Sequence, residues 1–271
     1  MNKHFQNYFQ SFKLNKTFFY TLGIDIITLI LLYVLITSFV NILTEKSLQL
    51  TGGKAPEVVK QELLSLSPAK LQPFMLQLQS FLFYFLFGLI FVVLIVLLSL
   101  SLSRTLVWKF LLGQTFSYKP FLKWNFLNLI MTIFVVIYTM LILLTNLIIT
   151  FLFSLITSNS TFLIYFSKFF NYLFLIFFLI LIFLIHYSFA HKVKIWESIG
   201  SGFHLMAKKW SALWRGSLLI LATAILIGII LFPIAYFLSE QALIIQVVAG
   251  IFTLLFLSWM RIYLLQIMQM E

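Results

Sequence analysis

The chain contains no cysteine, and Asp25 is its only aspartate. The first absence excludes disulfide frameworks, thiolate metal sites, haem-attachment motifs and cysteine nucleophiles together. The second excludes the aspartate-rich magnesium sites of isoprenoid and CDP-alcohol transferases, and seven acidic residues in all leave little for general acid–base or hard-metal chemistry. Charge of either sign is scarce, at 9% of 271 residues, where a soluble protein carries about 25%. Apolar residues make up 62% and the mean hydropathy is +1.09. That leaves too little polar sequence to cover a water-facing surface, so the solvent of this chain is lipid.

What the sequence does have is apolar runs of bilayer length, uncharged except for Asp25 in the first. Six occur, at about 18–43, 81–102, 126–156, 169–190, 217–238 and 242–260. About 20 residues at 1.5 Å each cross the roughly 30 Å hydrocarbon core. The runs are apolar all round and lack the period-two alternation of a transmembrane barrel. The expected fold class is therefore all-α: a polytopic integral membrane helical bundle with six transmembrane helices, forming a single membrane domain over 1–271. Lys3, Lys13 and Lys16 precede the first run as in a secretory signal, but the run is too long for one, and it is read as a retained anchor. The loop 44–80 is the only long one. Its TGG start is flexible, Pro56 suits the first position of a short helix around Glu57 to Leu66, and Pro68 is expected to stop that helix.

Orientation follows from the basic residues. Assigning alternate loops to opposite sides groups Lys3, Lys13, Lys16, Arg104, Lys109, Lys119, Lys123, Lys192, Lys194, Lys208, Lys209, Arg215 and Arg261, leaving five lysines for the other side. The positive-inside rule then expects both termini in the cytoplasm and the loop 44–80 outside the cell, in a multi-pass protein of the plasma membrane. A net charge of +11 also invites a nucleic-acid reading, but that needs a soluble basic domain or tail, and the sequence has none.

The cytoplasmic segments share a pattern. Before the fifth run, Ile199, Phe203, Met206, Trp210, Leu213 and Trp214 recur at helical spacing, with Glu197, Ser201, His204 and Lys208 between them. Phe5, Tyr8, Phe9 and Phe12 do likewise before the first run, and Val107, Trp108, Leu111 and Leu112 before the third. Such helices either lie in the headgroup plane or pack on the bundle's own end. In the first case Lys13, Lys16, Lys109, Lys119, Lys208 and Lys209 contact anionic headgroups, at about 1 kcal/mol per charge. Aligning SFKLNKTFFYTLGID from Ser11, TFSYKPFLKWNFLN from Thr115 and GFHLMAKKWSALWRGS from Gly202 yields three pseudo-repeated hairpins, each preceded by a cytoplasmic interfacial amphipathic helix.

A basic, aromatic S/T-F-x-Φ-x-K segment leading into a hairpin three times over resembles the six-helix membrane domain fused to some glycerophosphodiester phosphodiesterases, and its stand-alone bacterial and archaeal relatives. The passage from Ala190 to Leu221 carries most of the likeness. In the fused proteins catalysis belongs to a separate soluble barrel, so the resemblance implies a membrane domain without the enzyme.

Intramembrane zinc hydrolysis needs H-E-x-x-H, which none of the four histidines forms, and nucleotide-binding loops are absent. Ser201 with His204 lacks an orienting acid and reads as a polar helix face. The expectation is thus a protein that is not an enzyme and uses no cofactor or metal. It organises lipid or a membrane partner through basic interfacial helices. The alternative is a transporter, or a permease subunit whose Glu197 to Gly200 segment docks an ATPase, with Gly228 and Pro233 interrupting the fifth run and Asn146 and Asn171 lining a cavity. One polar cluster is expected in either case. Asp25 lies inside the first run, where a bare carboxylate cannot face lipid, and the repeat places Asn128 and Arg215 near its level, as a lock between helices one and five or as a proton or substrate site, the lock being favoured because no second acid is available as a relay.

Overall fold

Backbone hydrogen bonding carries several of the helices past the charge that ends their apolar run. The structure is a computed structural model and describes residues 3–13, 16–54, 56–65, 68–113, 118–154, 160–237 and 241–269. These form α1 (Lys3–Ser11), α2 (Lys16–Thr51), α3 (Pro56–Ser65), α4 (Pro68–Leu112), α5 (Tyr118–Ser154), α6 (Ser160–Lys192), α7 (Ile195–Lys208), α8 (Trp210–Phe237) and α9 (Ala242–Gln269), with no strand among the described residues. Six of them, α2, α4, α5, α6, α8 and α9, are long and apolar enough to cross a membrane, which makes the chain a six-span all-α membrane protein.

The 36 residues of α2 and the 45 of α4 correspond to roughly 54 and 68 Å of helix, well beyond one hydrocarbon core. They end where glycine accepts the left-handed conformation, at Gly52 and Gly53 (φ 59° and 73°) and at Gly113 (φ 63°). Most of the segment 44–80 is consequently helix rather than loop. α3 begins on Pro56, as the sequence anticipates. Pro68 starts α4 instead of only stopping α3, because a first-turn proline forfeits no helical hydrogen bond. α8 likewise runs unbroken through Gly228 and Pro233.

Two compact units emerge, Met1–Asp25 with Arg104–Glu271, and Ile26–Ser103. In the second, Gly88 of α4 makes room for Phe39 of α2, whose Cε2 would stand 2.5 Å from an added Cβ. Side chains such as Ile27, Tyr33 and Phe91 remain exposed, the outward apolar surface of helices that meet lipid.

In the first unit α6 is central. Of its apolar window 44% is buried, against 17% for α5 and α9 and 11% for α8. Ile180, Leu184, Ile185 and Phe189 are enclosed by Leu127 of α5, Leu213 and Ile220 of α8, and Tyr263, Leu264 and Ile267 of α9. Apolar side chains gain little by leaving lipid for protein, so association rests on close packing at small residues. Gly202 seats α7 on α6: a Cβ there would stand 2.5 Å from Ile185 Cγ1 and 3.1 Å from its Cα. The chain reverses between these helices at Val193, whose φ of 52° is strained for a β-branched residue. Its N–H donates to the Phe189 carbonyl at 2.8 Å, and its own carbonyl accepts from Lys123 Nζ at 3.1 Å.

α1 is pinned to α8 and α9. Thr223 gives its hydroxyl proton to the Leu219 carbonyl, so Tyr8 Oη is the donor to Thr223 Oγ1 at 2.8 Å, and Trp259 Nε1 donates to Ser11 Oγ at 2.8 Å. The segment before α5 is built differently. Val107 and Trp108 belong to the last turns of α4 and are buried, and Thr115 to Ser117 lie outside the described residues. The face read before the fifth run is also divided. α7 stops at Lys208, and Trp210 and Trp214 start α8, stacking on Phe177 of α6 at 5.5 and 5.7 Å.

Replacing Gly202 by leucine is expected to cost about 1–3 kcal/mol through overpacking against Ile185. Gly200→Ala, whose Cβ meets nothing within 4 Å, is expected to be neutral or stabilising by up to about 1 kcal/mol. Thermal unfolding of the purified protein in detergent separates the two, and equal behaviour would show that α7 is not seated on Ile185.

Candidate functional site

Asp25 is buried near the start of α2, with its carboxylate side chain 7% exposed. Several kcal/mol separate an ionised carboxylate in water from one in lipid or protein interior, so the group needs a cation close by. Two arginines supply it. Arg261 of α9 places Nη1 2.5 Å from Oδ2, a charge-assisted hydrogen bond, while Arg104 of α4 places Nη1 3.8 Å from Oδ1. The Arg261 side chain is 13% exposed and that of Arg104 27%. Two positive charges therefore face one negative charge. Among the described residues Arg104 makes no hydrogen bond, and its only ionic partner is that longer contact.

Both arginines line a half-open cavity of about 130 Å³, together with Trp108, Phe183, Met260 and His186. His186 is buried on α6, its ring against Trp124 at 5.2 Å, and its Nε2 has no hydrogen-bond partner among the described residues. The four polar groups share one end of their helices. Asp25 stands nine residues after Lys16, Arg104 eight before Leu112, His186 six before Lys192 and Arg261 eight before Gln269, or roughly 9–14 Å along each axis.

The expected trio of Asp25, Asn128 and Arg215 needs correction in its arginine. Arg215 is exposed on α8 and Asp25 is bonded by Arg261 and Arg104. Ser217, two positions after Arg215, is buried, and two positions turn an α-helix by about 200°. A side chain two positions from an inward one therefore points outward. Asn128 is buried on α5. Arg104 and Arg261 escaped sequence reading because each ended an apolar run and was counted as outside the membrane. The signal available was that each follows directly on such a run.

Among the lysines expected at headgroups, Lys13, Lys16 and Lys208 are exposed and Lys109 is half-buried, its Nζ 5.8 Å from the Phe110 ring centroid. Lys209 instead donates to the Met268 carbonyl at 2.7 Å, tying α7 to the end of α9. The Lys119 side chain lies outside the described residues. Asn146 accepts from Ser167 Oγ at 2.5 Å, a cross-helix bond between α5 and α6 of the kind that holds membrane helices together. Ser201 Oγ accepts from Lys192 Nζ at 2.6 Å, and His204 is exposed on the same helix.

With this geometry in hand, comparison with known proteins finds no matching family model, curated protein or solved structure.

Neutralising Asp25 is expected to strand the arginines. Asp25→Asn should lose about 3–5 kcal/mol. A second change, Arg261→Gln, should recover part of it, and Arg215→Gln should recover nothing. Unfolding midpoints of the two double variants in detergent test this, and equal rescue by Arg215→Gln would remove Arg261 from its role.

Proposed function

We propose that the protein is a non-catalytic, multi-pass membrane protein that organises anionic lipid, or a membrane partner, through the basic and aromatic helices α1 and α7. Both termini would face the cytoplasm from the plasma membrane. The observation that carries this reading is the division of α7 into three faces. Ser198 and Gly202 are buried, with Gly202 against Ile185 of α6. Trp196 and Phe203 lie within about 20° of each other around the axis, and they are 72% and 47% exposed. Glu197, His204 and Lys208 are exposed on the flank beside them. A helix fixed to the protein by one face, with an aromatic flank and a polar flank, suits the headgroup boundary. α1 has the same logic, because Tyr8 and Ser11 are bonded inward while Phe5 and Phe9 are exposed. The interfacial and end-packing readings of these segments are therefore compatible.

The resemblance in layout to the membrane domain of glycerophosphodiester phosphodiesterases agrees with a role separate from catalysis. A transporter or permease subunit is the second reading, favoured by the half-open charged cavity at Arg104 and Arg261. Its proposed ATPase contact draws on Glu197, which is exposed but already paired with Lys194 Nζ at 2.6 Å.

The lack of cysteine makes single-cysteine labelling clean. In vesicles of the full-length protein, Phe203→Cys is expected to be shielded from a water-soluble maleimide while the adjacent His204→Cys reacts, and equal reactivity would remove α7 from the interface. In intact cells, Gly53→Cys is expected to react with an impermeant reagent and His204→Cys only after permeabilisation. The reverse pattern would invert the orientation.

A further inference from the structure

Two guanidinium groups face one carboxylate at the cavity between α4, α6 and α9, so one positive charge there has no counter-charge among the groups that line it. Arg261 is satisfied by its 2.5 Å bond to Asp25. Arg104 is not, since its carboxylate contact is 3.8 Å and the cation–π contacts found involve lysines. A charge in that position within a membrane normally has a partner. His186 adds a second polar group to the same cavity, its Nε2 buried and unpartnered. The remaining walls are apolar, from Trp108, Leu179, Ile182 and Phe183. A small anionic head joined to an apolar body matches this combination of cation and walls.

The level in the membrane agrees. Arg104 and Arg261 each stand at one end of an apolar run, eight residues inside the end of α4 and α9, a level that a phosphate at the edge of the hydrocarbon can approach. A guanidinium binds phosphate through two parallel N–H···O bonds, which a lone carboxylate contact at 3.8 Å does not provide. A volume of about 130 Å³ equals that of roughly four waters, enough for a phosphate group and too small for acyl chains, which would stay outside.

We propose that this cavity is a binding site for a phosphate-type anion that completes the coordination of Arg104, carried by a net-negative lipid or free in solution. The site is distinct from the interfacial helices. It rests on the chain being a lipid-embedded protein and does not depend on α1 or α7 touching headgroups.

The test uses the purified full-length protein in neutral detergent, with dioleoylphosphatidylglycerol, dioleoylphosphatidylcholine and inorganic phosphate as probes. Bound lipid is counted by native mass spectrometry and protection is read from the unfolding temperature. Arg104→Gln is expected to weaken phosphatidylglycerol binding about tenfold, the weight of one charge-assisted hydrogen bond, and to leave phosphatidylcholine unchanged. Arg104→Lys, which keeps the charge but not the two-bond fork, should recover only part of the loss. Ile182→Trp, which fills the cavity without touching a charge, should reproduce it and keeps the test open if Arg104→Gln does not fold. Phosphatidylglycerol binding that depends on Arg104 and resists inorganic phosphate assigns a lipid head, whereas protection by inorganic phosphate that depends on Arg104 assigns the free anion. Binding of both that is indifferent to Arg104 and Ile182 overturns the site. Loss in Lys208→Gln alone would also overturn it, assigning lipid selectivity to α7 and leaving the interfacial reading intact.

Discussion

An ionised carboxylate cannot face lipid, and the way Asp25 is answered fixes how three distant parts of the chain meet. Its partners lie 79 and 236 residues further along, at Arg104 and Arg261. The bond to Arg261 joins the beginning of α2 to the last turns of α9, and Arg104 draws the end of α4 to the same point. A buried ion pair contributes little net stability, because removing two charges from water costs about as much as their attraction returns. Its consequence is register. Sliding or rotating α2 or α9 by one residue would strand a charge, whereas sliding one apolar face over another costs far less in a solvent as apolar as the side chains themselves. The glycine seats and cross-helix hydroxyl bonds act around this pin. Gly202 under Ile185, Gly216 under Ile267, Ser11 with Trp259 and Tyr8 with Thr223 set distances that Asp25 and its arginines have set in direction.

The same end of the unit carries α1 and α7, on which the proposed function rests. α1 and α7 are held from within by Tyr8, Ser11, Ser198 and Gly202, which leaves Phe9, Trp196 and Phe203 outward. Under the proposed function, attachment of the helix backbone by its inner face would lower the ordering cost of contact with a surface. Lys209 illustrates the division of labour among basic residues. It secures the Met268 carbonyl at the end of α9, while its neighbour Lys208 remains exposed. Counting lysines per segment therefore overstates the charge available to a lipid headgroup.

Much of the fold was legible because lipid imposes a simple rule: an uncharged run of bilayer length has to be a spanning helix. The described residues of all six runs are helical, and Pro56 located the start of α3 to the residue. The rule also explains what was missed. Run counting took each basic residue as a boundary, so it ended the second run before Arg104 and the sixth before Arg261, and placed outside the membrane the two side chains that Asp25 needs. The need for a partner could be read from Asp25 alone. The partner's identity depended on the angle around each helix and on which helices meet, and a repeat alignment with one-residue gaps does not determine angles to better than about 100°. Arg215 fell on the wrong side for that reason. Val107 and Trp108 show the complementary case, where a helical pattern was recognised but the continuity of α4 through it was not.

Charge exchange between Asp25 and Arg261 tests the role of this pair most directly. Asp25→Arg or Arg261→Asp alone should abolish the cooperative unfolding transition of the protein in detergent, since each buries like charges against one another. Combining the two restores one carboxylate facing two guanidiniums, and the transition should return to within about 2 kcal/mol of the original. A double variant no better folded than either single one, or single reversals that unfold like the unaltered protein, would contradict the conclusion that Asp25 sets the register of α2 and α9.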